Sequence, residues 1–329
     1  ILRRGNPTVT GSVRKHGREI WLVPSGDKLR EPIQIVGKHR AHAEDRAAVQ
    51  VTSYGTSKQP PMGVLLEVFG RDGSREAAVE SILFDQHIQR EFPPKALEQA
   101  RQAPRTVPDS ALAGRLDLRE KCIITIDGAS AKDLDDAVSL ERDEQGRPVL
   151  GVHIADVSHY VPMGSPLDVE AWQRGTSVYF ADQVIPMLPT ELSNGICSLN
   201  PRVDRLTLSC IMTLHPDGSV ADYTIAQSVI RTTERMTYED CNLLLTGSDP
   251  ALAGRYAHIL PMLRDMASLA QVLERRRKRR GSLDLASRES SILCDEEGRP
   301  ISIQARTPGV SEGLIESFML AANECVAAH

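Results

Sequence analysis

The amino-acid sequence predicts an α+β protein of two domains, a small β-barrel followed by a mixed α/β domain, and three observations carry that prediction. The chain has 329 residues, more than a single hydrophobic core usually serves. Residues 1–70 read as a run of short strands separated by turns. From Glu76 the pattern turns helical, and beyond Leu116 strands and helices interleave.

The strands of the first domain are expected at Thr8–Val13, Ile20–Val23, Ile33–Val36, Ala47–Tyr54 and Val64–Phe69, with turns such as Ser25-Gly26-Asp27 and Gln59-Pro60-Pro61 between them. Five short strands suit a small barrel. An OB-type barrel is the commonest such module that binds single-stranded nucleic acid, although the strand count fits other small β domains as well. Residues 71–115 read as a helical linker. Ala78, Val79, Ile82 and Leu83 form one stripe, Pro93-Pro94 opens a second short helix, and Pro104 and Pro108 mark the exit. The second domain, 116–329, has strand patterns at Cys122–Ile126, Ala137–Leu140, Val149–Ile154, Leu206–Leu214 and Val220–Val229. Ser165 before Pro166 reads as an N-cap, and Thr237-x-x-Asp240 as a weakened capping box. The longest helix is expected to follow Pro250, run to about Arg280 and stop before Gly281. A final helix carries the stripe Leu314, Ile315, Phe318, Met319, Ala322 and Val326. No internal repeat is present.

Composition narrows the class. A hydrophobic share of 41% and a charged share of 25% describe a globular protein rather than a disordered or fibrous one. There is no run of about 18 apolar residues and no apolar stretch at the start, so the expectation is a cytoplasmic protein without membrane partners. The 6 cysteines are scattered, with no CxxC pair and no Cys/His cluster of zinc spacing, so they are expected to be buried, reduced thiols. A net charge of −5 argues against a wholly basic nucleic-acid binder but is compatible with a local basic track beside acidic catalytic groups. The absence of an initiator Met and the apolar helix pattern running to His329 suggest a fragment.

The most informative stretch is Asp127-Gly128-Ala129-Ser130-Ala131-Lys132-Asp133-Leu134-Asp135-Asp136, lying between two apolar strand patterns. In an extended segment Asp133 and Asp135 face one way and Asp136 the other, while a turn at Gly128 could fold Asp127 back toward them. Two carboxylates about 5 Å apart repel by roughly 3 kcal/mol at an effective dielectric of about 20, so such a cluster destabilises a fold unless neutralised. An all-oxygen donor set suits hard Mg²⁺ or Mn²⁺, which keep waters and share ligands with a substrate phosphate. Phosphodiester hydrolysis is the chemistry that follows. Spacing alone leaves open a solvated, Asp-rich turn that caps neighbouring amides. A calcium loop of the EF-hand type is excluded, because Lys132 and Val138 stand where it needs Gly and Glu.

From Ile126-Asp127-Gly128 through Lys132-Asp133-Leu134-Asp135-Asp136-Ala137-Val138, the sequence resembles the catalytic start of the ribonuclease II and ribonuclease R (RNB) family. The resemblance continues in order through Gly151-Val-His-Ile-Ala-Asp-Val-Ser-His-Tyr-Val161, Ser177-Val-Tyr-Phe180, Ile185-Pro-Met-Leu-Pro189 and Glu191-Leu-Ser-Asn-Gly-Ile-Cys-Ser-Leu-Asn-Pro201. It is specific from about 116 to 235, weaker to 329, and implies that residues 1–70 are the family's second cold-shock barrel. It implies a Mg²⁺-dependent (Mn²⁺ possible) exoribonuclease that digests single-stranded RNA from the 3′ end to 5′-monophosphates. A non-catalytic RNA-binding regulator of the same fold and a phosphodiesterase acting on another substrate are the alternatives. Such proteins usually carry a further cold-shock barrel before this one, the rest of the catalytic domain after it and a terminal S1 barrel.

Carried over by position, the resemblance places the family's metal-site aspartates on Asp127, Asp133, Asp135 and Asp136, with Asp133 and Asp135 central to catalysis by two-metal hydrolysis. Its tyrosine stacking near the RNA 3′ end falls on Tyr179, for which the ordinary explanation is a half-buried strand tyrosine. A glutamate near the terminal nucleotide falls on Glu316, which equally fits the polar side of an amphipathic helix. The second stacking aromatic meets Leu285 in Arg280-Gly281-Ser282-Leu283-Asp284-Leu285, a departure that weakens one platform. The arginine that positions the scissile phosphate is expected beyond His329. The run Arg275–Arg280 either tracks phosphates or complements a helix C-terminus, and His153 and His159 read as satisfied core histidines.

Overall fold

The computed structural model describes residues 8–26, 29–283, 289–295 and 298–329. The chain divides into two compact units, 1–91 and 92–329, so the 71–115 stretch is shared between them.

The first unit contains β1 (Thr8–His16), β2 (Glu19–Pro24), β3 (Ile33–Val36), β4 (Asp45–Ser53) and β5 (Met62–Arg71), closed into a barrel in the order β1-β2-β3-β5-β4. β3 and β5 run parallel, and β1 closes the ring by pairing with both β2 and β4. The alternating apolar residues of the strands fill the interior: Val9, Val13, Leu22, Ile33, Ile35, Ala47 and Val49. Closure brings backbones together at Gly11, where a Cβ would stand 2.1 Å from the Val23 carbonyl oxygen; only glycine fits there. Helix α1 (Arg75–Asp85) packs on the barrel. Ser74 caps it, and the Thr10 hydroxyl donates to Asp85 Oδ2 at 2.5 Å. The buried face comprises Ala77, Val79, Ser81 and Leu83, so Ile82, expected on the buried stripe, faces solvent.

The second unit opens with α2 (Pro94–Gln102), with proline in its first turn as expected. Its centre is a 7-stranded sheet built from β6 (Leu116–Asp117), β7 (Ile124–Asp127), β8 (Asp136–Arg142), β9 (Pro148–Ala155), β12 (Asp204–Leu214), β13 (Val220–Arg231) and β14 (Glu234–Thr237), in the order β14-β7-β8-β9-β12-β13-β6. Between β9 and β12 lie α3 (Val157–Tyr160), α4 (Pro166–Arg174) and the small pair β10 (Val178–Tyr179) and β11 (Val184–Ile185). After β14 come α5 (Tyr238–Thr246), α6 (Pro250–Arg255), α7 (Leu260–Arg279), the hairpin β15 (Glu289–Cys294) and β16 (Pro300–Arg306), and α8 (Val310–Ala328). The expected caps form: Ser165 accepts from the Asp168 amide and Thr237 from the Asp240 amide.

One face of the sheet packs Ile124, Ile126, Val138, Leu150, Val152 and Met236 against Leu263, Met266, Leu314 and Phe318 of the helices. The helix expected to run unbroken from Pro250 is in fact two. Pro261 lacks an amide hydrogen and its ring would clash one turn back, so it sits in the first turn of α7, while Tyr256 and Ile259 turn into the core between the helices. The opposite face carries a buried polar ladder. His153 Nε2 lies 3.0 Å from Ser139 Oγ and Nδ1 lies 2.7 Å from Ser209 Oγ, which in turn contacts Ser228 Oγ at 2.6 Å. Gly151 makes room for it, since a Cβ there would stand 2.4 Å from Ser139 Oγ. His153 is thus the satisfied core histidine expected. His159 is not: it is exposed on α3, 3.5 Å from Arg115.

Cys197, Cys210, Cys241 and Cys325 are buried and all 6 cysteines are free, Cys122 and Cys294 being only partly covered. Among the described residues, no helix is long and apolar enough to cross a membrane.

Candidate active site

The acidic segment is the connection between β7 and β8. Asp127 is the last residue of β7 and Asp136 the first of β8. These neighbours share a single register pair, Ile124 with Val138, because each strand has a stronger partner on its far side. β7 pairs along its whole length with β14, up to Thr237 opposite Asp127, and β8 pairs with β9 from Asp136 onward. The two strands therefore part, and the loop spans the gap with its carboxylates around the mouth.

Short contacts brace the loop. Leu134, the apolar residue among the acids, is 1% exposed and plugs into the cluster of Ile123, Ala137, Leu199 and Ile230. The Leu134 amide donates to Ser198 Oγ at 3.1 Å, Ser198 Oγ donates to the Lys132 carbonyl at 2.8 Å, and the Leu199 amide donates to the Leu134 carbonyl at 2.8 Å. The Ala155 amide secures the Asp135 carbonyl at 2.9 Å. On the other limb, Arg235 Nη2 donates to the carbonyls of Ala129 at 3.1 Å and Ala131 at 2.6 Å. The turn expected at Gly128 forms, closed by the Ala131 amide on the Gly128 carbonyl at 3.0 Å, and it does so without a positive φ at Gly128. Ser198 and Arg235 had no sequence signal of their own. Ser198 lies within the quoted Glu191–Pro201 block, and Arg235 reaches the loop only because β14 pairs beside β7.

The electrostatics are those of crowded acids. Burial, then repulsion from Asp136, lifts the Asp127 carboxyl to about 7, with Arg235 opposing the shift. Desolvation, then Asp133 and Asp136, lifts Asp135 to about 6, even though that side chain retains solvent access. Burial also raises Asp136. Asp127 Oδ2 is buried without a hydrogen-bond partner among the described residues. A hard divalent cation suits this set: all donors are carboxylate oxygens, one is unpartnered, and each is favoured in its ionised form by a nearby positive charge. Among the described residues, no three Asp, Glu, His or Cys side chains are grouped closely enough to hold a metal ion together. The fit is accordingly to an ion held by one or two carboxylates with its remaining positions open, the habit of Mg²⁺ beside phosphate.

Tyr179, on β10, is 66% exposed rather than half-buried, and its hydroxyl donates to Asp133 Oδ2 at 3.1 Å. It thus joins the acidic loop and presents its ring to solvent. Glu316 is exposed on α8 and receives Arg277 Nη2 at 3.3 Å, a contact with α7 rather than with the loop. Leu285 lies outside the described residues. Much of the basic run is ion-paired: Arg280 holds Glu324 at 2.5 Å and Lys278 holds Glu274 at 2.7 Å, which favours the helix-end reading of those cations.

Residues 115–329 match the family described as RNB domain, and residues 21–93 that described as Cold shock domain. Ribonuclease R 1 of Lactococcus lactis is 50% identical over 283 residues, covering 85% of this chain and 34% of that protein. Ribonuclease R of Thermotoga maritima is 39% identical over 332 residues, covering 99% of this chain and 46% of that protein. Mycoplasma genitalium RNase R, solved in complex with ribose-methylated single-stranded RNA, superposes with a TM-score of 0.87 at 26% identity, covering 99% of this chain and 52% of that one. The chain spans between a third and about half of the length of these relatives.

Proposed function

The chain belongs to the RNB family, and from that premise we propose that it is part of a cytoplasmic 3′→5′ exoribonuclease that hydrolyses single-stranded RNA to 5′-nucleoside monophosphates with a divalent metal, Mg²⁺ or Mn²⁺. The observation that carries the proposal is the braced loop, in which Asp127, Asp133, Asp135 and Asp136 surround one mouth and Asp127 Oδ2 is buried and, among the described residues, unpartnered. Similarity to relatives named Ribonuclease R, one of them solved with single-stranded RNA, supports the substrate class.

In this reading the cation would be held by one or two carboxylates of the Asp127, Asp133, Asp135 and Asp136 set, with its other positions left to water and the substrate phosphate. When bound, it supplies charge neutralisation at the phosphodiester and acidifies a water. Asp133 and Asp135 lie in the last part of the loop, just before β8, and the Tyr179 hydroxyl fixes one Asp133 oxygen while the exposed Tyr179 ring offers a stacking face to the last base. Glu316 is assigned to the terminal nucleotide, with Arg277 as its partner in this structure. The barrel supplies a surface for the incoming strand.

The test replaces Asp135 by Asn in the full-length protein and follows the decay of 5′-labelled single-stranded RNA with Mg²⁺. Loss of hydrolysis with RNA binding retained is expected. Undiminished hydrolysis refutes the catalytic assignment, and a parent protein that binds RNA without degrading it returns the regulator reading.

A further inference from the structure

β14 carries Met236 on the face that packs against the helices, so by strand alternation Arg235 stands on the opposite face, in register with Thr125 of β7. Asp127, two residues beyond Thr125, shares that face. Here three buried polar atoms have no hydrogen-bond partner among the described residues: Thr125 Oγ1, Asp127 Oδ2 and Arg235 Nε. Buried polar groups are nearly always paired, so a concentration of exceptions on two adjacent strands marks a place shaped for something other than self-packing.

The limb of the loop above this spot is lightly anchored: only Ala131 packs against the cluster of Ile123 and Leu134, and Ser198 reaches it at its far end, on the Lys132 carbonyl. Ala129, Ser130 and Lys132 are exposed, in contrast to the Leu134 limb, which is plugged into the core and tied by Ser198. What otherwise holds the first limb is the Arg235 guanidinium on the carbonyls of Ala129 and Ala131, together with the single turn at Gly128. Both carbonyls accept from one nitrogen, Nη2, whose two N–H groups are fixed in the guanidinium plane at the end of a long side chain, a pair that the rotating ammonium of a lysine does not hold in place. Without the brace, repulsion among the carboxylates would push the limb outward, because only the Gly128 turn, the small Ala131 contact and the Ser198 bond to Lys132 oppose it.

We propose that Arg235 is a positioning residue: it sets the distance between Asp127 on β7 and the Asp133–Asp136 group, and so determines how well the loop takes a divalent cation, without itself touching RNA. This rests on the nuclease reading above. Groups that orient carboxylates around a metal typically cost on the order of 10- to 100-fold in metal affinity or activity when removed.

The test uses the full-length protein, with Mn²⁺ alone as the binding probe, read by titration calorimetry or by the spin signal of free Mn²⁺, and steady-state RNA hydrolysis as a second readout. R235M is expected to weaken Mn²⁺ by about 10- to 100-fold and lower kcat correspondingly, while KM for single-stranded RNA stays within about twofold of the parent value. R235K, keeping the charge but not the fixed pair of N–H groups, should fall between. A folded R235M with parental Mn²⁺ affinity overturns the proposal, as does a rise in KM with Mn²⁺ binding intact, which would make Arg235 a substrate contact. If circular dichroism shows R235M to be unfolded, R235K decides by the same Mn²⁺ criterion. A parent protein whose Mn²⁺ binding depends on Arg235 but which hydrolyses no RNA supports the brace and sinks the nuclease reading.

Discussion

Replacing Asp127 by Asn should stabilise the metal-free protein, and the structure bounds the size of the effect. The Asp127 carboxyl is lifted from 3.8 to about 7 by burial and by Asp136. At roughly 1.4 kcal/mol per pH unit, about 3 units correspond to at most about 4 kcal/mol of unfavourable free energy when the group is ionised in the folded state. Asp127 is only partly buried, and solvent screening reduces this to about 2 kcal/mol. The sign follows from proton counting. Between about pH 4 and pH 7 the folded state holds a proton that the unfolded state has lost, so stability contributed by this site falls as pH rises and is lowest above pH 7. Asp127→Asn should therefore unfold at higher temperature than the parent at pH 8 in chelator, by about 4–8 °C for a unit of this size, and match it at pH 4. Added Mg²⁺ should stabilise the parent and leave the variant nearly unmoved. Thermal unfolding at both pH values, with chelator and with Mg²⁺, reads this directly. A variant no more stable than the parent at pH 8 in chelator would show that the acids are not electrostatically strained, and the argument for a cation between them would lose its energetic basis.

Other outcomes follow from the same geometry. Tyr179→Phe removes the hydrogen bond to Asp133 but keeps the ring, so it should cost less activity than Tyr179→Ala, whose loss of base stacking is worth about 1–3 kcal/mol in RNA 3′-end binding; equal effects in a competition assay would refute a stacking role. His153 is pushed down to about 4 by burial, so its neutral form stabilises the sheet above pH 6.5, and up to roughly 3 kcal/mol of that is lost as pH falls toward 4; His153→Gln should flatten this limb of the unfolding curve. Arg115 and Asp156 pair at 2.6 Å with both side chains 5% exposed, so Asp156→Asn strands a buried cation and should cost about 3–5 kcal/mol in urea unfolding. Leu134→Ala should cost about 2–5 kcal/mol and also weaken Mn²⁺ binding, since it unplugs the loop from the core.

Which parts of this were legible in the sequence depends on how local their cause is. The barrel strands announce themselves by alternation and turn residues, and the Ser165 and Thr237 caps by residue type, because each is decided within a few positions. The four aspartates are visible for the same reason. The break before α7 was also written locally, in Pro261, but the apolar periodicity on either side hid it. Other features depend on distant strands. β14 reads as a polar stretch, Glu234-Arg-Met-Thr237, and becomes a strand only by pairing with β7, more than a hundred residues earlier. Arg235 and Ser198 inherit that invisibility, since a side chain that braces a remote loop has no pattern in its own neighbourhood. Tyr179 shows the converse: its position in a short strand suggested partial burial, but a two-residue strand gives little cover, and the ring stands in solvent.

The parting of β7 and β8 explains how one fold can carry a destabilising cluster without losing its sheet. If the two strands paired along their length in the register of Ile124 with Val138, Asp127 would stand opposite Asp135 across a tight hairpin with their repulsion acting on the ladder itself. Instead β7 leans on β14 and β8 on β9, and only Ile124 and Val138 remain opposed. The strain is thereby moved into a loop whose backbone is tied by Ser198, Leu199, Ala155 and Arg235, while the apolar face beneath keeps its packing with Leu263, Met266 and Phe318. A prediction separates this arrangement from a loosely attached loop. Ser198→Ala removes both the donor to Lys132 and the acceptor for Leu134, contacts worth about 1 kcal/mol each, so it should speed amide hydrogen exchange in residues 128–135 while leaving that of β9 and β12 unchanged. Faster exchange throughout the sheet would mean that the loop and the core unfold as one unit, and that the acidic mouth is not insulated from the fold that carries it.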